Sequence, residues 1–415
     1  MRSFSIQTFG CRVNQAEAFL WADELQNQGW RFERDCLRSD LVLMNTCTLT
    51  RNADRDARKF IRAVTRENPK ARLVVTGCYA QRSPEEFKDL PQVWKVFPNE
   101  EKHRIVSHVS TIASQGESVS PLPFRSRALV KIQDGCDFRC TFCIIPWVRG
   151  QSRSIAQAEV LSRIRKYIDQ GFKEIVLTGI HLCSYGHDLN PPSSLLDLLE
   201  EIENLEGLTW LRLSSLDPRY LSLPLLEHIA KSEKICPHLH LSLQSGSDRI
   251  LARMGRKIRC CDFNRILAHL RDHDPFAALG TDIIVGFPGE SEEDFESTCD
   301  FLAYSPLTYF HVFAYSPRPL TEAASWSQVD PKVKKKRAAR LRNLAGVKNF
   351  AFRKQCLGRE FKGIVIKKGK DHAQVLTNNY IKVHVPASLA DERNEVKVKI
   401  TSVFPKLTEG KIIRD

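Results

Sequence analysis

Six short apolar runs alternate with helical patterns between residues 128 and 315, and this alternation restricts the possible folds most. The runs are ALVKI, EIVLTG, LTWLRLS, HLHLSLQ, LGTDIIVGF and YFHVFAY. Helical patterns such as AQAEVLSRIRKYIDQ and SLLDLLEEIEN separate them. Strands that alternate with helices usually form a parallel sheet. Six βα units in about 190 residues predict a partial or complete β/α barrel, with an open doubly wound sheet as the alternative.

The first hundred residues show a separate series of the same kind. FSIQTFG, LVLMN and LVVTG are typical of strands, and AEAFLWADELQNQGW, RDARKFIRAVTREN and PEEFKDL are typical of helices. The pattern predicts a second parallel α/β domain over residues 1–112. Residues 113–124, ASQGESVSPLPF, are rich in Ser, Gly and Pro and are expected to form a linker.

The end of the chain changes character after residue 330. Residues 331–354 contain ten Lys or Arg and no acidic residue, which predicts one basic helix that ends the central domain, residues 125–354. FKGIVIKK, AQVLTN, YIKVHVP and EVKVKITSVF alternate apolar and polar residues. Residues 355–415 are therefore expected to form a small antiparallel β-barrel of about five strands.

Cys136, Cys140 and Cys143 form a CxxxCxxC triplet, which carries the strongest chemical signal. Three thiolates this close can ligate three irons of a [4Fe–4S] cluster and leave the fourth iron open to a small molecule. A structural zinc site would need a fourth Cys or His nearby. The next candidates, His181 and Cys183, lie about forty residues further along the chain. The triplet therefore favours an iron–sulfur cluster over zinc.

Cys11, Cys47 and Cys78 each follow directly on a predicted strand of the first domain. The carboxyl ends of parallel strands meet at one edge, so these cysteines are expected to converge and to bind a second metal group. The alternative is that they are buried side chains that act as small hydrophobes. That second interpretation is our expectation for the remaining cysteines outside the 181–183 segment: Cys36, Cys236, Cys260, Cys261, Cys299 and Cys356.

Composition limits the compartment and the partners. The chain has no run of 18 apolar residues and no apolar leader, so we expect a cytoplasmic protein without membrane spans. Thirteen cysteines then indicate metal-binding or reactive thiols rather than disulfides. Lys and Arg number 62 against 49 Asp and Glu, a net charge of +13. This excess fits a polyanionic partner, although an unspecific basic surface would show it too.

The triplet, with Phe142 before its last cysteine, resembles that of the radical S-adenosylmethionine superfamily. Together with GCRVNQAE, NTC, GCY, RGQSRS, TGIHLCSYG, SLQSGS and DIIVGFPGE, it makes the whole chain similar to the methylthiotransferases. GCRVNQAE and TGIHL are closest to the branch that modifies threonylcarbamoyladenosine in tRNA (MtaB-like). Other branches modify isopentenyladenosine (MiaB-like) or an aspartate of a ribosomal protein (RimO-like). Cys183 stands where that family is expected to have a small residue.

The resemblance implies two [4Fe–4S] clusters, one on each cysteine triplet, and two molecules of S-adenosylmethionine per turnover. One molecule gives the methyl group, and the other gives a radical that activates carbon 2 of adenine. No catalytic residue beyond the cluster ligands is expected. Contacts to S-adenosylmethionine are expected at strand ends and turns, where each residue could alternatively serve packing: Phe142, Thr178, Gly179, Ser215, Gln244, Asp282 and Gly286.

The resemblance also implies a TRAM-like C-terminal barrel that binds the tRNA anticodon loop. Lys362, Lys367, Lys368 and Lys370, near its first strand, are the expected contacts to the RNA backbone. The basic helix either extends this footprint or is a solvated face packed on the barrel. An electron donor such as flavodoxin or ferredoxin is implied, and a monomer is expected. The rivals are a methylthiotransferase of another substrate, a radical methylase and a non-catalytic, zinc-containing RNA-binding protein.

Overall fold

The computed structural model describes residues 2–111, 126–391 and 394–413, so the predicted linker at 113–124 lies outside the described residues. The chain divides into two compact units, and each contains segments that are distant in sequence. The first unit comprises Met1–Phe124, Asp134–Arg153 and Ser316–Ala324, and the second comprises Arg125–Gln133, Ser154–Tyr315 and Ser325–Asp415.

A parallel sheet of five strands, in the order β2-β1-β3-β4-β5, forms the centre of the first unit. This confirms the α/β fold predicted for the N-terminal region. The elements up to residue 110 are β1 (Ser3–Thr8), α1 (Arg12–Asn27), β2 (Arg31–Phe32), β3 (Leu41–Thr46), α2 (Arg51–Glu67), β4 (Arg72–Gly77), α3 (Cys78–Arg82), α4 (Glu85–Lys88), β5 (Val93–Val96) and α5 (Ile105–Ser110).

Local sequence explains this part of the fold. Every residue of β3 is buried, which accounts for its continuous apolar run. Helix α2 starts at Arg51 because the Thr50 hydroxyl accepts a hydrogen bond from the Ala53 N–H at 3.2 Å. Its apolar face packs on Val42, Met44 and their neighbours in the sheet, which places the carboxyl ends of β1, β3 and β4 side by side.

Two parallel sheets of three strands, β6-β9-β10 and β11-β12-β13, form the second series. Isolated parallel bridges, Leu211 to Ile235 and Leu216 to Leu241, connect them. The elements are β6 (Ala128–Lys131), β7 (Gln133–Asp134), α6 (Ile145–Arg149), β8 (Arg153–Ser154), α7 (Gln157–Asp169), β9 (Glu174–Thr178), α8 (Leu195–Glu203), β10 (Trp210–Leu213), α9 (Leu223–Lys231), β11 (His238–His240), α10 (Asp248–Arg253), α11 (Cys260–His273), β12 (Ala278–Val285), α12 (Glu292–Tyr304) and β13 (Tyr309–Ala314).

The six main strands follow one another in sequence order without the reversal that a doubly wound sheet has at its switch point. The predicted partial β/α barrel is thereby confirmed, and the doubly wound alternative is wrong. Capping boxes start α8 at Ser194 and α12 at Ser291, each with an aspartate three residues later.

The remaining elements form a basic helix and a closed barrel, as predicted. Strands of the barrel follow the order β14-β15-β16-β18-β17, and the neighbours are antiparallel except for β16 and β18. The bounds are α13 (Pro331–Gln355), β14 (Glu360–Lys368), β15 (His372–Thr377), β16 (Lys382–Pro386), β17 (Glu395–Val403) and β18 (Thr408–Ile413).

Within the second unit, the small barrel shares a core with the partial barrel. Trp210 and Cys236 pack against Ile364 of β14. Arg212, fully buried, donates to the carbonyl oxygens of Thr377 (3.4 Å) and Asn378 (3.0 Å), in the turn after β15. The ring of Tyr380, in the same turn, stacks on His238 with centroids 3.9 Å apart. This turn therefore packs against the partial barrel.

Much of the charge of α13 serves packing. Arg337 is buried and pairs with Glu290 and Glu292, and Arg353 donates to the carbonyl oxygens of Phe404 and Pro405. Several other basic side chains of this helix are exposed: Lys332, Lys335, Lys336, Arg342 and Lys354. The helix thus carries both packed and solvated basic side chains.

The expectation for the remaining cysteines is right for some and wrong for others. Cys236, Cys299 and Cys356 are buried, as expected of small hydrophobes. Cys36 and Cys260 are only half-buried, and Cys261 is exposed. Cys261 is the second residue of α11, and it lies on the side of the helix that faces solvent.

Candidate active site

Cys11, Cys47 and Cys78 lie at one edge of the first unit, at the carboxyl ends of β1, β3 and β4. The strands are neighbours, and Thr46 is paired in register with Gly77, so Cys47 and Cys78 follow at the same level. The Phe9 N–H donates to the Asn45 carbonyl at 2.8 Å, which extends the β1–β3 pairing toward Cys11. The predicted convergence of these three cysteines is present in the fold.

Gly10 permits the close approach of the ends of the neighbouring strands β1 and β3. Its φ is +95°, and a Cβ built on it would lie 2.6 Å from the Cys47 sulfur and 2.5 Å from the Cys47 Cβ. Both conditions exclude any other residue type without displacement of Cys47. The backbone thus keeps the Cys47 sulfur close to the turn that carries Cys11.

Burial raises the pKa of two thiols of this triad. It is the largest cause of the rise in the pKa of Cys47 to about 12, to which the neighbouring Cys78 thiol also contributes. Burial likewise raises the pKa of Cys11, while the charge of Arg149 opposes that change. The raised pKa favours the protonated thiols of Cys11 and Cys47, which are then poor free nucleophiles and must lose their protons when a metal group binds.

Arg149 is a fourth participant that sequence reasoning did not select. Its side chain is completely buried, and its Nε lies 3.3 Å from the Cys78 sulfur. Nη1 donates to Glu17 (3.2 Å) and Asp134 (2.7 Å), and Nη2 donates to the Asn14 amide oxygen. Burial alone would lower its pKa, but Glu17, Cys78 and Asp134 together raise the pKa of Arg149 well above its ordinary value.

Asn14 connects this guanidinium with the strand ends. Its Nδ2 donates to the carbonyl oxygens of Phe9 (2.8 Å) and Thr46 (2.9 Å), each close in sequence to a cysteine. Its Oδ1 lies 3.8 Å from the Cys11 sulfur. Within GCRVNQAE, the Asn is therefore a residue that orients the backbone around the triad.

A buried ion pair lies beside these groups. Lys102 Nζ is 2.5 Å from Glu17 Oε2, and both side chains are less than one-tenth exposed. Asn45 Nδ2 also donates to Glu17 at 3.0 Å. Since each polar group has a partner, the network can fix the positions of the strand ends.

The second triad occupies the loop between β7 and α6, also in the first unit. The Cys136 N–H donates to the Gly150 carbonyl, and the Cys143 N–H donates to the Cys140 carbonyl, both at 3.0 Å. Gly135 has φ +74°, and a Cβ there would lie 1.8 Å from the Gln151 carbonyl oxygen. All three cysteines are half-buried, so this loop is more accessible than the buried pair Cys47 and Cys78.

Both triads fit an iron–sulfur cluster in their donor chemistry. Each offers three sulfur atoms, the ligand type that such clusters require. The N-terminal triad adds an N–H donor to one sulfur and a backbone cradle that a Cβ at Gly10 would fill. Three protein ligands per site would leave one iron of each cluster open.

The expected S-adenosylmethionine contacts fall into two groups. Phe142 is half-buried in the triplet loop of the first unit. In the second unit, Thr178 ends β9, and Ser215 lies two residues after β10. The Oγ1 of Thr178 and the Oγ of Ser214 are buried and have no hydrogen-bond partner among the described residues. These two hydroxyls are therefore free to accept or donate a hydrogen bond at the two strand ends.

Gln244 and Asp282 are brought together by an extension of the sheet. The Gln244 N–H donates to the Asp282 carbonyl, and the Gln244 carbonyl accepts from the Ile284 N–H, both at 2.9 Å. Gln244 has φ +91°, a strained conformation that often marks a functional position. The Asp282 carboxylate lies 3.1 Å from His240 Nε2, so its side chain has a partner within the barrel.

The two glycines in the predicted set are both explained by packing. A Cβ on Gly179 would lie 3.0 Å from the Gln133 Oε1. Gly286 has φ +68°, and a Cβ on it would lie 2.4 Å from Lys334 Cγ. Glycine at position 286 of the GFPGE turn is therefore required for packing against α13, independently of any contact with a cofactor.

Comparison with known proteins decides the family. The model described as Uncharacterized protein family UPF0004 matches residues 3–97, and that of the Radical SAM superfamily matches residues 130–302. A threonylcarbamoyladenosine tRNA methylthiotransferase MtaB from Aquifex aeolicus is 36% identical and covers 91% of this chain and 95% of its own length. Its namesake from Thermotoga maritima is 34% identical over 99% of both chains. This chain belongs to the radical S-adenosylmethionine methylthiotransferase family.

A solved structure supports the fold of this methylthiotransferase. The radical S-adenosylmethionine methyltransferase TsrM from Kitasatospora setae gives a TM-score of 0.55 at 15% identity, over 78% of this chain and 75% of that chain. At this identity the likeness concerns the fold alone. Within the described residues of the methylthiotransferase, none of the helices has the length and apolar character to cross a bilayer.

Family membership confirms the predicted enzyme class and cofactor types. The chain is a methylthiotransferase that uses S-adenosylmethionine and [4Fe–4S] clusters.

Sequence reasoning missed Arg149 and Asn14 because neither is a metal ligand. Their positions six residues after Cys143 and three after Cys11 were the available signal.

Proposed function

We propose that this enzyme inserts a methylthio group at carbon 2 of N6-threonylcarbamoyladenosine, next to the anticodon of tRNA. The main support is the identity of 36% over nine-tenths of the chain to a relative named for this reaction. The presence of six cysteines as two triads in one compact unit agrees with it.

In this proposal Cys136, Cys140 and Cys143 hold the cluster that binds S-adenosylmethionine, and Cys11, Cys47 and Cys78 hold an auxiliary cluster. When bound, these groups supply the adenosyl radical and the sulfur that is transferred. The chain supplies position and exclusion of water. The greater exposure of Cys136, Cys140 and Cys143 suits a cofactor that enters and leaves, whereas the burial of Cys47 and Cys78 suits a group that is retained.

The residues at the strand ends of the partial barrel are proposed to hold S-adenosylmethionine. Thr178 offers a hydroxyl without a partner among the described residues, and Ser214 offers another beside the expected Ser215. Gln244 and Asp282 would supply backbone and carboxylate contacts. Phe142 would supply an apolar face for adenine, and Gly179 and Gly286 the tight turns.

The exposed lysines of the C-terminal barrel are proposed to bind the tRNA backbone. Lys362, Lys367, Lys368 and Lys370 are all exposed, and Lys368 lies 2.9 Å from Asp391 in an exposed ion pair. The solvated side of α13 would extend this surface. Since phosphate contacts release counterions, the affinity for tRNA would fall steeply with salt. A reductant of the flavodoxin or ferredoxin type would deliver electrons.

The test is a nucleoside comparison. Transfer RNA from a strain that lacks the gene is digested and analysed by mass spectrometry, with strains that carry the wild type or the Cys11→Ala/Cys47→Ala/Cys78→Ala variant. We expect the methylthio form of threonylcarbamoyladenosine to disappear without the gene and to return only with the wild type. In vitro, the variant should still cleave S-adenosylmethionine.

Each rival predicts a different result. An unchanged nucleoside profile would refute a tRNA substrate, and loss of methylthio-isopentenyladenosine would assign the enzyme to the other tRNA branch. Normal modification by the triple variant would favour simple radical methylation. Zinc in place of iron in anaerobically purified protein would favour a non-catalytic RNA-binding protein.

A further inference from the structure

Arg149 is a buried cation that the ligand set of neither cluster requires. It ends α6, the helix that follows the CxxxCxxC loop, yet its side chain reaches the N-terminal triad within the same unit. The side chain has no solvent exposure. Burial of a guanidinium is energetically unfavourable because the charge loses its hydration. The contacts of Arg149 must offset this penalty.

The contacts fix the guanidinium from three directions. Nη1 meets the carboxylates of Glu17 and Asp134, and Nη2 meets the Asn14 amide. Only Nε faces sulfur, at 3.3 Å from Cys78. The three groups that are not sulfur thus orient one N–H toward the cysteine.

The charges around the triad are balanced before a cluster is ligated, and ligation would change this balance. Glu17 already has a cationic partner in Lys102, at 2.5 Å, so it does not need Arg149 for neutralisation. Arg149 and Lys102 together balance Glu17 and Asp134 before any thiolate forms. Ligation of a cluster would add negative charge on the sulfurs, and Arg149 is the cation that directly contacts one of them.

We propose that Arg149 is a positioning residue for the auxiliary cluster, which it orients through Cys78 and whose reduced form it stabilises. This inference rests on the proposed two-cluster function. Reduction adds negative charge to a cluster, and hydrogen bonds to its sulfurs raise the reduction potential. Arg149 follows the loop that carries Cys136, Cys140 and Cys143. Its contact with Cys78 therefore connects that loop with the auxiliary cluster site.

The test uses the full chain with Cys136, Cys140 and Cys143 replaced by Ala, so that only the auxiliary cluster forms. Arg149→Gln and Arg149→Lys are compared in this background by iron and sulfide content and by EPR-monitored potentiometry. We expect Arg149→Gln to shift the reduction potential to a lower value and to retain less iron. Arg149→Lys should restore part of both, because it keeps the charge but not the planar geometry.

Arg82→Gln is the matched control. Arg82 is mostly buried in the first unit, with 11% of its side chain exposed, and it pairs with Asp54 (3.1 Å) and Thr48 (2.6 Å) rather than with sulfur. Loss of a buried cation near the triad is therefore common to both variants, and the sulfur contact is lost in only one. Circular dichroism checks that each variant is folded.

The outcomes are distinct. A cluster of unchanged potential in Arg149→Gln would overturn the inference and leave the proposed function intact. Equal loss of iron in Arg82→Gln would also overturn it, since any buried cation would then have the same effect. A lowered potential and a loss of iron in Arg149→Gln, with partial recovery in Arg149→Lys and with Arg82→Gln fully loaded, would support it. If the background protein itself binds no cluster, the proposed two-cluster function fails first.

Discussion

Replacement of Gly10 by Ala tests whether the backbone at the N-terminal triad is built around a metal group. The new Cβ would lie 2.5 Å from Cys47 Cβ and 2.6 Å from its sulfur. Contacts between carbon atoms are optimal at about 3.5–4.0 Å, so Cys47 would have to move by about 1 Å. The positive φ adds a strain of about 1–2 kcal/mol for a residue with a Cβ. A displacement of this size exceeds the tolerance of metal–ligand bonds, which is about 0.2 Å.

We therefore expect Gly10→Ala to lose the iron of one cluster while the fold survives with a melting temperature lower by a few degrees. The assay is iron and sulfide content after anaerobic reconstitution, together with thermal unfolding. Gly171→Ala is the control, because Gly171 has φ +84° but no heavy atom within 4 Å of the added Cβ. It should show similar strain and full iron content. Full iron in Gly10→Ala, or equal loss in the control, would refute the argument.

Two further predictions concern buried charges of the second unit. Arg212→Met should destabilise the fold by about 3 kcal/mol in urea unfolding, because it leaves the buried Glu174 carboxylate with Arg127 alone. The double variant with Glu174→Gln should recover part of this, and no recovery would contradict the ion-pair explanation. At Asp217, burial opposes ionisation, but hydrogen bonds from His181 and Arg219 keep the pKa well below its usual range. Its stabilising contribution should be complete above about pH 4 and vanish as the pH falls through the folded-state pKa, so wild type and Asp217→Asn should converge in unfolding free energy only in acid.

Sequence patterns predicted the architecture because each element carries its own periodicity. Continuous burial of β3 gives an uninterrupted apolar run, and alternation in β14–β18 gives a barrel signal. The positions of Cys11, Cys47 and Cys78 at strand ends likewise predicted their convergence, since strand order in a parallel sheet brings strand ends together.

Long-range polar contacts could not be predicted in the same way. Arg149 and Glu17 are 132 positions apart, and nothing in either local pattern indicates that they meet. The sequence also could not predict which basic residues of α13 are buried. Arg337 and Lys336 are neighbouring cations of similar size, yet Arg337 is buried and Lys336 is exposed. Such differences depend on which face of a helix tertiary packing covers.

The turn after β15 has a consequence for evolution and for engineering. Its carbonyl oxygens receive hydrogen bonds from Arg212, and its Tyr380 ring covers His238. A chain cut after α13 would leave a buried arginine with fewer acceptors and would open Trp210 and Cys236 to water. The C-terminal barrel is thus not an interchangeable attachment, and exchange of this module between relatives would require joint redesign of the surface beneath it.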